Sequence, residues 1–251
     1  MYAFFGIKNT KISVFYSISI PLICCTNLYM NSITELIIVD DSPAIIKAIE
    51  NMVINYTNYK IVLKAHNGHE AAIKLQTTKY SNCIAIVDIN MPVMDGVCFT
   101  QFMANRYKDI KVIGISMYSH VEAFSAILEA GAKGFVNKSN LNILQEAIDK
   151  VKQGETFIDP AVKADWEKYL EQNKALISKT NEYNLPNQLI EHLQLLPADI
   201  TNAQKALLTS QSVHTINQHQ KDIKKITGYS SKPSQLIFAI RERIVKTFKA
   251  N

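Results

Sequence analysis

Four short apolar runs, each ending in a polar residue that can do chemistry, constrain the fold of this chain more than any other feature. The polar residues at the ends of these runs are Asp40 with Asp41, Asp88, Ser116 and Lys138. Short runs rich in β-branched residues are typical of strands that are covered on both faces, as in a parallel sheet. Because the carboxyl ends of parallel strands meet at one edge of the sheet, we expect these side chains to converge there.

Apolar residues at spacings of three and four predict helices between the runs, as Leu141, Leu144 and Ile148 illustrate. Alternation of strands and helices places the chain in the α/β class. We predict a five-stranded, doubly wound parallel sheet in the flavodoxin-like order, followed by a small all-helical C-terminal domain.

The loop after Asp88 contains Asn90, Pro92 and Gly96, which are turn-forming residues. Taken alone, Asp88 has two interpretations of similar weight. It either caps this loop or the helix after it, or it is a functional carboxylate. The acids that end the first apolar run, together with the polar ends of the other runs, favour the second interpretation.

Together, these residues resemble the receiver domain of bacterial two-component response regulators, over roughly residues 32–155. The resemblance implies that Asp88 is the phosphoacceptor. It also implies that a divalent ion is held by Asp40, Asp41, Asp88 and the main-chain carbonyl of Asn90. Crowded carboxylates repel one another and need a cation, and oxygen ligands with retained water suit Mg²⁺. The expected cofactor is therefore Mg²⁺, and the expected phosphodonor is a sensor histidine kinase.

The same resemblance assigns roles to three further residues. Ser116 would contact the phosphoryl group, Lys138 would pair with it, and Phe135 would be the switch aromatic. Transfer would then be a local charge change that biases a two-state element. The chain departs from the family pattern at Asn137-Lys138-Ser139, since an acid commonly follows the lysine.

Three short segments look like the NarL and FixJ subgroup of this family: Ile115–Met117, Glu129–Gly134 and Gly154–Pro160. In that subgroup the receiver precedes a four-helix DNA-binding domain of the LuxR type. The resemblance thus implies a cytoplasmic response regulator that controls transcription and forms a homodimer when it is phosphorylated.

Residues 199–251 hold seven lysines and two arginines against two aspartates and one glutamate. This basic excess predicts a polyanionic partner. We predict a helix-turn-helix whose first helix is Gln220–Gly228 and whose second helix is about Lys232–Lys246. The residues predicted to contact DNA phosphates or bases are Lys221, Lys224, Lys225, Lys232, Ser234, Gln235, Arg241 and Arg243.

The C-terminal region also departs from the LuxR type. Pro233 and Ser234 stand where that type usually has a threonine and an apolar residue, and Val213–His219 is longer and more polar than expected. In the alternative interpretation the receiver is joined to a helical protein-interaction or dimerisation module that does not bind DNA. An enzymatic output is not expected, because the sequence outside the receiver shows no nucleophile–base or metal-binding cluster.

The sequence divides into an N-terminal extension at residues 1–31, a receiver at 32–155, a helical linker at 156–198 and an output domain at 199–251. For the extension, one interpretation is that Met30 is the true start; the other is a signal-like or weakly membrane-associated segment. In both cases we expect little stable structure and no stable membrane insertion. The four cysteines show no disulfide or metal-ligand spacing, which favours a reducing cytoplasm. Trp166, the only tryptophan, is expected to pack within a linker helix.

Overall fold

The computed structural model describes residues 33–80, 82–119, 121–177 and 183–246. The N-terminal extension, with both of its interpretations, lies outside these ranges. From Ile33 onward the chain forms one unit by its internal contacts. None of the helices in the described ranges is both long enough and apolar enough to cross a membrane.

A parallel sheet with the strand order β2-β1-β3-β4-β5-β6 is the centre of the fold. Its strands are β1 Thr34–Val39, β2 Tyr59–Ala65, β3 Ile84–Asp88, β4 Lys111–Ser116, β5 Gly134–Asn137 and β6 Phe157–Ile158. The order of the first five strands is the predicted flavodoxin-like one. The prediction of five strands is corrected by β6, which pairs with β5 at the edge. A strand of two residues is too short for any hydrophobic period to show in the sequence.

Helices connect the strands and continue beyond the sheet. They are α1 Pro43–Val53, α2 Gly68–Thr77, α3 Gly96–Arg106, α4 Val121–Glu129, α5 Leu144–Lys152, α6 Lys163–Ile177, α7 Asn187–Gln194, α8 Asn202–Thr209, α9 Val213–Thr227 and α10 Lys232–Arg241. A 3₁₀ helix at Lys138–Ile143 precedes α5. A non-helical backbone at Asn140 (φ −123°, ψ 35°) interrupts this 3₁₀ helix, and the α-helix begins only at Leu144.

The alternation of side chains along β1 shows why the apolar runs are continuous. Ile37 and Val39 pack on the face of the sheet that α2, α3 and α4 cover. Leu36 and Ile38 pack on the other face, against α1 and α5. All four side chains are fully buried, so both faces of the strand require apolar residues.

The C-terminal helices differ from their predicted boundaries. Val213 to Thr227 is one helix of 15 residues, so the prediction that a helix starts at Gln220 was wrong. Ser212 caps its N-terminus by accepting a hydrogen bond from the Thr215 N–H, and Gly228 ends it in the left-handed conformation (φ +82°). The first two turns of α9 carry mostly polar, exposed side chains, so the sequence there lacks the apolar period that predicts a helix.

The C-terminal helical unit, α7 to α10, begins earlier than residue 199, where the sequence predicted the output domain to start. Leu189 and Leu193 of α7, within the predicted linker, form a core with Ile223 of α9 and Phe238 of α10. Leu208 of α8 instead packs into the core on the α3 side of the sheet. The C-terminal helices are therefore packed against the α/β region rather than tethered to it.

Candidate functional site

Three carboxylates converge at the carboxyl edge of the sheet, as the sequence predicted. Asp40 directly follows β1, Asp41 is the next residue, and Asp88 ends β3. One oxygen from each lies within 4.8 Å of the others. Asp40 and Asp88 are buried and Asp41 is exposed, so the cluster is open to solvent on one side.

Lys138, which follows β5, supplies the positive charge in this cluster. Its Nζ lies 2.8 Å from Oδ2 of Asp40 and 3.0 Å from Oδ1 of Asp88. The Ser42 N–H donates a hydrogen bond of 2.9 Å to the other oxygen of Asp40. One ammonium group therefore bridges the two buried carboxylates and leaves Asp41 facing solvent.

The electrostatics of Asp88 are set by opposing effects. Burial raises its pKa to about 6, and the negative charge of Asp40 adds to the rise. The positive charge and hydrogen bond of Lys138, with the Asn90 N–H as a weaker donor, lower the pKa. At pH 7 the group is mostly ionised, yet it is a stronger base than an ordinary aspartate.

A close backbone approach explains why Gly96 follows this site. A Cβ atom at Gly96 would lie 2.0 Å from the carbonyl oxygen of Asp88. The Gly96 N–H donates to the carbonyl of Ile89 at 2.9 Å. Asp95 caps α3 by accepting a hydrogen bond from the Cys98 N–H. Only a residue without a side chain lets α3 begin this close to the end of β3.

The next two strand ends place the predicted switch residues. Ser116, the last residue of β4, is buried, and its Oγ accepts a hydrogen bond from the Tyr118 N–H at 3.1 Å. Phe135 of β5 is fully buried, and its ring centroid is 5.0 Å from that of Phe124 on α4. In this conformation the Phe135 ring lies in the core beside α4.

The donor set of the cluster fits a hard divalent cation. Its carboxylates offer only oxygen ligands, and the exposed side leaves room for retained water, which is the arrangement that Mg²⁺ favours. Asp40, Asp41 and Asp88 would hold the ion. The main-chain carbonyl of Asn90, the fourth predicted ligand, remains a prediction.

Comparison with known proteins agrees with this geometry. The family model for the response regulator receiver domain matches residues 36–149. That segment contains the three carboxylates and Lys138. Residues 36–149 are a response regulator receiver domain. The chain is also 26% identical to the oxygen regulatory protein NreC of Staphylococcus aureus over 216 residues, which cover 84% of this chain and 99% of NreC.

Solved structures of response regulators share the fold of the receiver and the helices after it. RcsB of Salmonella typhimurium superposes with a TM-score of 0.50 at 19% identity, over 84% of this chain and 99% of RcsB. An RcsB–DNA complex superposes with the same TM-score and identity, over 82% of this chain and 98% of that chain. These likenesses establish the architecture of a receiver followed by a helical C-terminal region.

The residues predicted to contact DNA separate into two groups. Four lysines are exposed: Lys221, Lys224, Lys225 and Lys232. The other four are engaged within the protein. Gln235 is buried and donates to the carbonyls of Gln220 and Tyr229. Ser234 forms a capping box with Ser231 at the start of α10.

The two arginines of that set are paired with carboxylates. Arg241 is exposed, and its Nε lies 3.0 Å from Oε1 of Glu242. Arg243 binds Glu129 of the receiver. In this conformation, the structure therefore does not present Gln235 or Arg243 as surface side chains that could reach DNA.

Sequence reasoning missed two features of the site. Asp159, the residue after β6, is fully buried and accepts hydrogen bonds from the N–H of Asn137, next to Lys138, and from the N–H of Ala161. Val93, in the loop after Asp88, has a left-handed backbone (φ +68°), which is rare for a β-branched residue. The sequence gives no local signal for either, because both depend on contacts with distant segments.

Proposed function

We propose that this protein is a response regulator that accepts a phosphoryl group on Asp88. The observation that carries the proposal is the cluster of three carboxylate oxygens within 4.8 Å with Lys138 across two of them. A nucleophilic carboxylate beside a cation-binding pocket and a fixed ammonium group is the arrangement that phosphoryl transfer requires. The proposed phosphodonor is a sensor histidine kinase in the cytoplasm.

In the proposed transfer, a carboxylate oxygen of Asp88 forms a bond to phosphorus while the bond from phosphorus to the donor nitrogen breaks. The electron pair of the broken bond goes to the donor imidazole, which takes up a proton from solvent, and the product is an aspartyl phosphate. When bound, Mg²⁺ would neutralise charge on the phosphoryl oxygens. Lys138 holds its positive charge 3.0 Å from the attacking carboxylate and is ready to pair with the new dianion.

We propose that the conformational change caused by phosphorylation of Asp88 begins at Ser116 and Phe135. The new dianion would draw the Ser116 hydroxyl from its hydrogen bond with the Tyr118 N–H. Space vacated behind Ser116 would let Phe135, which packs on Phe124, change its position. This is a local charge event acting on a packed two-state element.

The output is proposed to be DNA binding through α9. This helix follows α8 after the three residues 210–212, as the second helix of a helix-turn-helix does. Six of its exposed side chains are polar or basic and share one face: His214, Asn217, Gln218, Lys221, Lys224 and Lys225. The lysines suit phosphate contacts, while the polar residues near the N-terminus suit base edges. The first three residues of this face were not among the sequence predictions.

The alternative output is a protein-interaction or dimerisation module. One observation favours it: Ile237 on α10 is 66% exposed, and Ile240, one turn further on, is 37% exposed. Apolar side chains at this spacing suit a helix partner, including a second copy of the chain. The DNA-binding test below decides between the two outputs.

Phosphorylation is tested by incubating the protein with Mg²⁺ and acetyl phosphate and measuring the added mass. Asp88→Asn is expected to abolish uptake. Asp109→Asn, an exposed acid far along the chain from the cluster, is the control and should keep the parent rate. Uptake by Asp88→Asn equal to that of the parent contradicts the proposed site.

DNA binding is tested with the full chain, since the helical unit shares its core with the receiver. Lys221→Ala is expected to weaken binding and to lower the slope of log affinity against log salt by about one. Lys79→Ala, exposed on the receiver, should change neither. If the phosphorylated parent shows no binding to genomic DNA fragments at low salt, the interaction module is the better proposal.

A further inference from the structure

Asp159 is a fully buried acid that neither the phosphoacceptor cluster nor the helical core uses. It follows β6 and precedes α6. Its Oδ2 accepts a hydrogen bond of 3.0 Å from the Asn137 N–H, and its Oδ1 accepts one of 3.0 Å from the Ala161 N–H. A buried carboxylate is costly unless its oxygens are satisfied, so the surrounding donors are part of the fold.

The same residue grips the Lys138 segment at two further points. The Asp159 N–H donates to the carbonyl of Phe135 at 2.9 Å. The side-chain amide of Asn140 donates to both oxygens of Asp159, at 3.3 and 3.4 Å. Asp159 therefore touches the chain on both sides of Lys138, through Phe135 and Asn137 before it and Asn140 after it.

Asn137 extends this arrangement by one more step. Its side-chain oxygen accepts hydrogen bonds from the N–H and hydroxyl of Ser139, at 2.9 and 2.6 Å. The residues on either side of Lys138 are thus fixed to each other and to Asp159. Only the side chain of Lys138 enters the cluster, where its Nζ contacts Asp40 and Asp88. The backbone on both sides of Lys138 is held by the hydrogen bonds of Asn137 and Asp159.

This matters because a lysine side chain is long and loses substantial rotamer entropy when it is ordered. A fixed backbone lowers the cost of holding the ammonium group between two carboxylates. We propose that Asp159 is a positioning residue that sets the location of Lys138 for phosphoryl transfer to Asp88. The proposal rests on the proposed function and adds to it a residue that lies behind the site rather than in it.

The test is a double-mutant cycle in the acetyl phosphate assay with Mg²⁺. Asp159→Asn replaces one of the two acceptor oxygens with an amide donor, so one of the two backbone N–H groups loses its acceptor, and phosphorylation should slow about tenfold. Because the effect acts through Lys138, the same substitution should cause less than a twofold change in a Lys138→Ala background. A general loss of folding would slow both backgrounds by the same factor, so equal losses overturn the proposal.

Two further variants make the result interpretable. Asp165→Asn removes the same charge from an exposed position on α6 and should keep the parent rate. If Asp159→Asn does not fold, Asn140→Ala takes its place in the assay. This substitution removes one donor to Asp159 without disturbing a buried charge, and it should slow the reaction about threefold. An unchanged rate in the folded variant overturns the role of Asp159. Uptake by Asp88→Asn at the parent rate overturns the proposed function as well, so the two failures are distinct.

Discussion

The hydroxyl of Tyr169 on α6 donates a hydrogen bond of 2.7 Å to the carboxylate of Glu129 at the end of α4. The same carboxylate pairs with Arg243 and with Lys246, which follow α10. Although burial raises the pKa of Glu129, the hydrogen bonds from Tyr169 and Arg243 outweigh it and hold the pKa below its ordinary value. The Glu129 carboxylate therefore joins three parts of the protein: the receiver, helix α6 and the segment after α10.

A row of aromatic rings runs from this junction to Phe135, the proposed switch residue. The ring centroid of Phe124 is 5.0 Å from Phe135 and 6.2 Å from Trp166. Trp166 stacks on Tyr169 at 5.6 Å. Movement of Phe135 would change the packing of Phe124, which lies between Phe135 and Trp166 of α6. The predicted packing role of Trp166 in a linker helix is thus confirmed, and its neighbours place it on this route.

Phosphorylation is therefore expected to change the fluorescence of Trp166, the only tryptophan in the chain. The indole contacts the ring that packs on Phe135, so repacking alters its surroundings. The measurement is the emission spectrum before and after addition of acetyl phosphate and Mg²⁺. Asp88→Asn under the same conditions should show no change. An unaltered spectrum in a sample that mass spectrometry shows to be phosphorylated contradicts the route.

Glu129→Gln is expected to lower the free energy of unfolding by about 2 kcal/mol, because it leaves two partly buried cations without their carboxylate. Urea denaturation measures the loss. Glu146→Gln is the matched control, since that residue forms an exposed pair with Lys150 on α5. An exposed pair of this kind contributes at most about 0.5 kcal/mol. Equal losses in the two variants would show that the Glu129 junction contributes no more than a surface pair.

The cluster of Asp40, Asp41, Asp88 and Lys138 could be predicted from the sequence because these side chains lie at strand ends or directly after them. A buried parallel strand has a clear sequence pattern, and the topology of the sheet brings the strand ends together. Asp40, Asp88 and Lys138 were placed by that reasoning alone. Asp159 could not be placed in the same way, since β6 is too short to carry a pattern and two partners of the Asp159 carboxylate, Asn140 and Asn137, lie 19 and 22 residues earlier.

The helix boundaries in the C-terminal region failed for a different reason. The first turns of α9 expose His214, Asn217 and Gln218, and only Ile216 and His219 face inward. His214 is exposed, whereas His219 is buried. A histidine on the inner face weakens the apolar period that marks a helix.

The buried pair of His192 on α7 and His219 on α9 predicts a dependence of stability on pH. Burial lowers the pKa of His192 to about 3, and the positive charges of Lys205 and His219 add to the effect. Among the described residues, neither ring nitrogen of His192 has a hydrogen-bond partner. The unfolded chain therefore takes up a proton near pH 6.5 that the folded protein does not take up.

Stability is thus expected to fall as the pH falls below about 6.5, by about 2 kcal/mol between pH 6.5 and 5 from His192 alone. Asp88 acts in the opposite direction, because burial raises its folded pKa to about 6. The measurement is consequently a difference: urea denaturation of the parent against His192→Phe at both pH values. The variant should lose less stability than the parent, and His214→Phe, at an exposed position, should behave as the parent does. Equal pH dependence in all three proteins contradicts the assignment to His192.

The loop after Asp88 has a strained backbone at Val93, and a hydrogen bond from the segment before α8 helps to hold the loop in place. Val93 lies between Pro92 and Met94, and the Met94 N–H donates to the Pro92 carbonyl at 2.7 Å, which closes a three-residue turn with φ +68° at the valine. The carbonyl of Val93 accepts a hydrogen bond of 2.7 Å from the Asp199 N–H, just before α8. A backbone hydrogen bond therefore links the loop after Asp88 to the segment that leads into α8.

Val93→Gly is accordingly expected to raise the free energy of unfolding by about 1 kcal/mol. Glycine adopts a left-handed backbone without steric cost, whereas a β-branched residue there costs about 1–2 kcal/mol. The Val93 side chain is 41% exposed, so its removal loses little buried surface. Val213→Gly is the control of opposite sign: the side chain is 44% exposed, but the residue is helical, and glycine there should lower stability by about 0.5 kcal/mol. Urea denaturation of both variants gives the comparison. A loss of stability in Val93→Gly as large as that in Val213→Gly would show that the loop stores no strain at Val93.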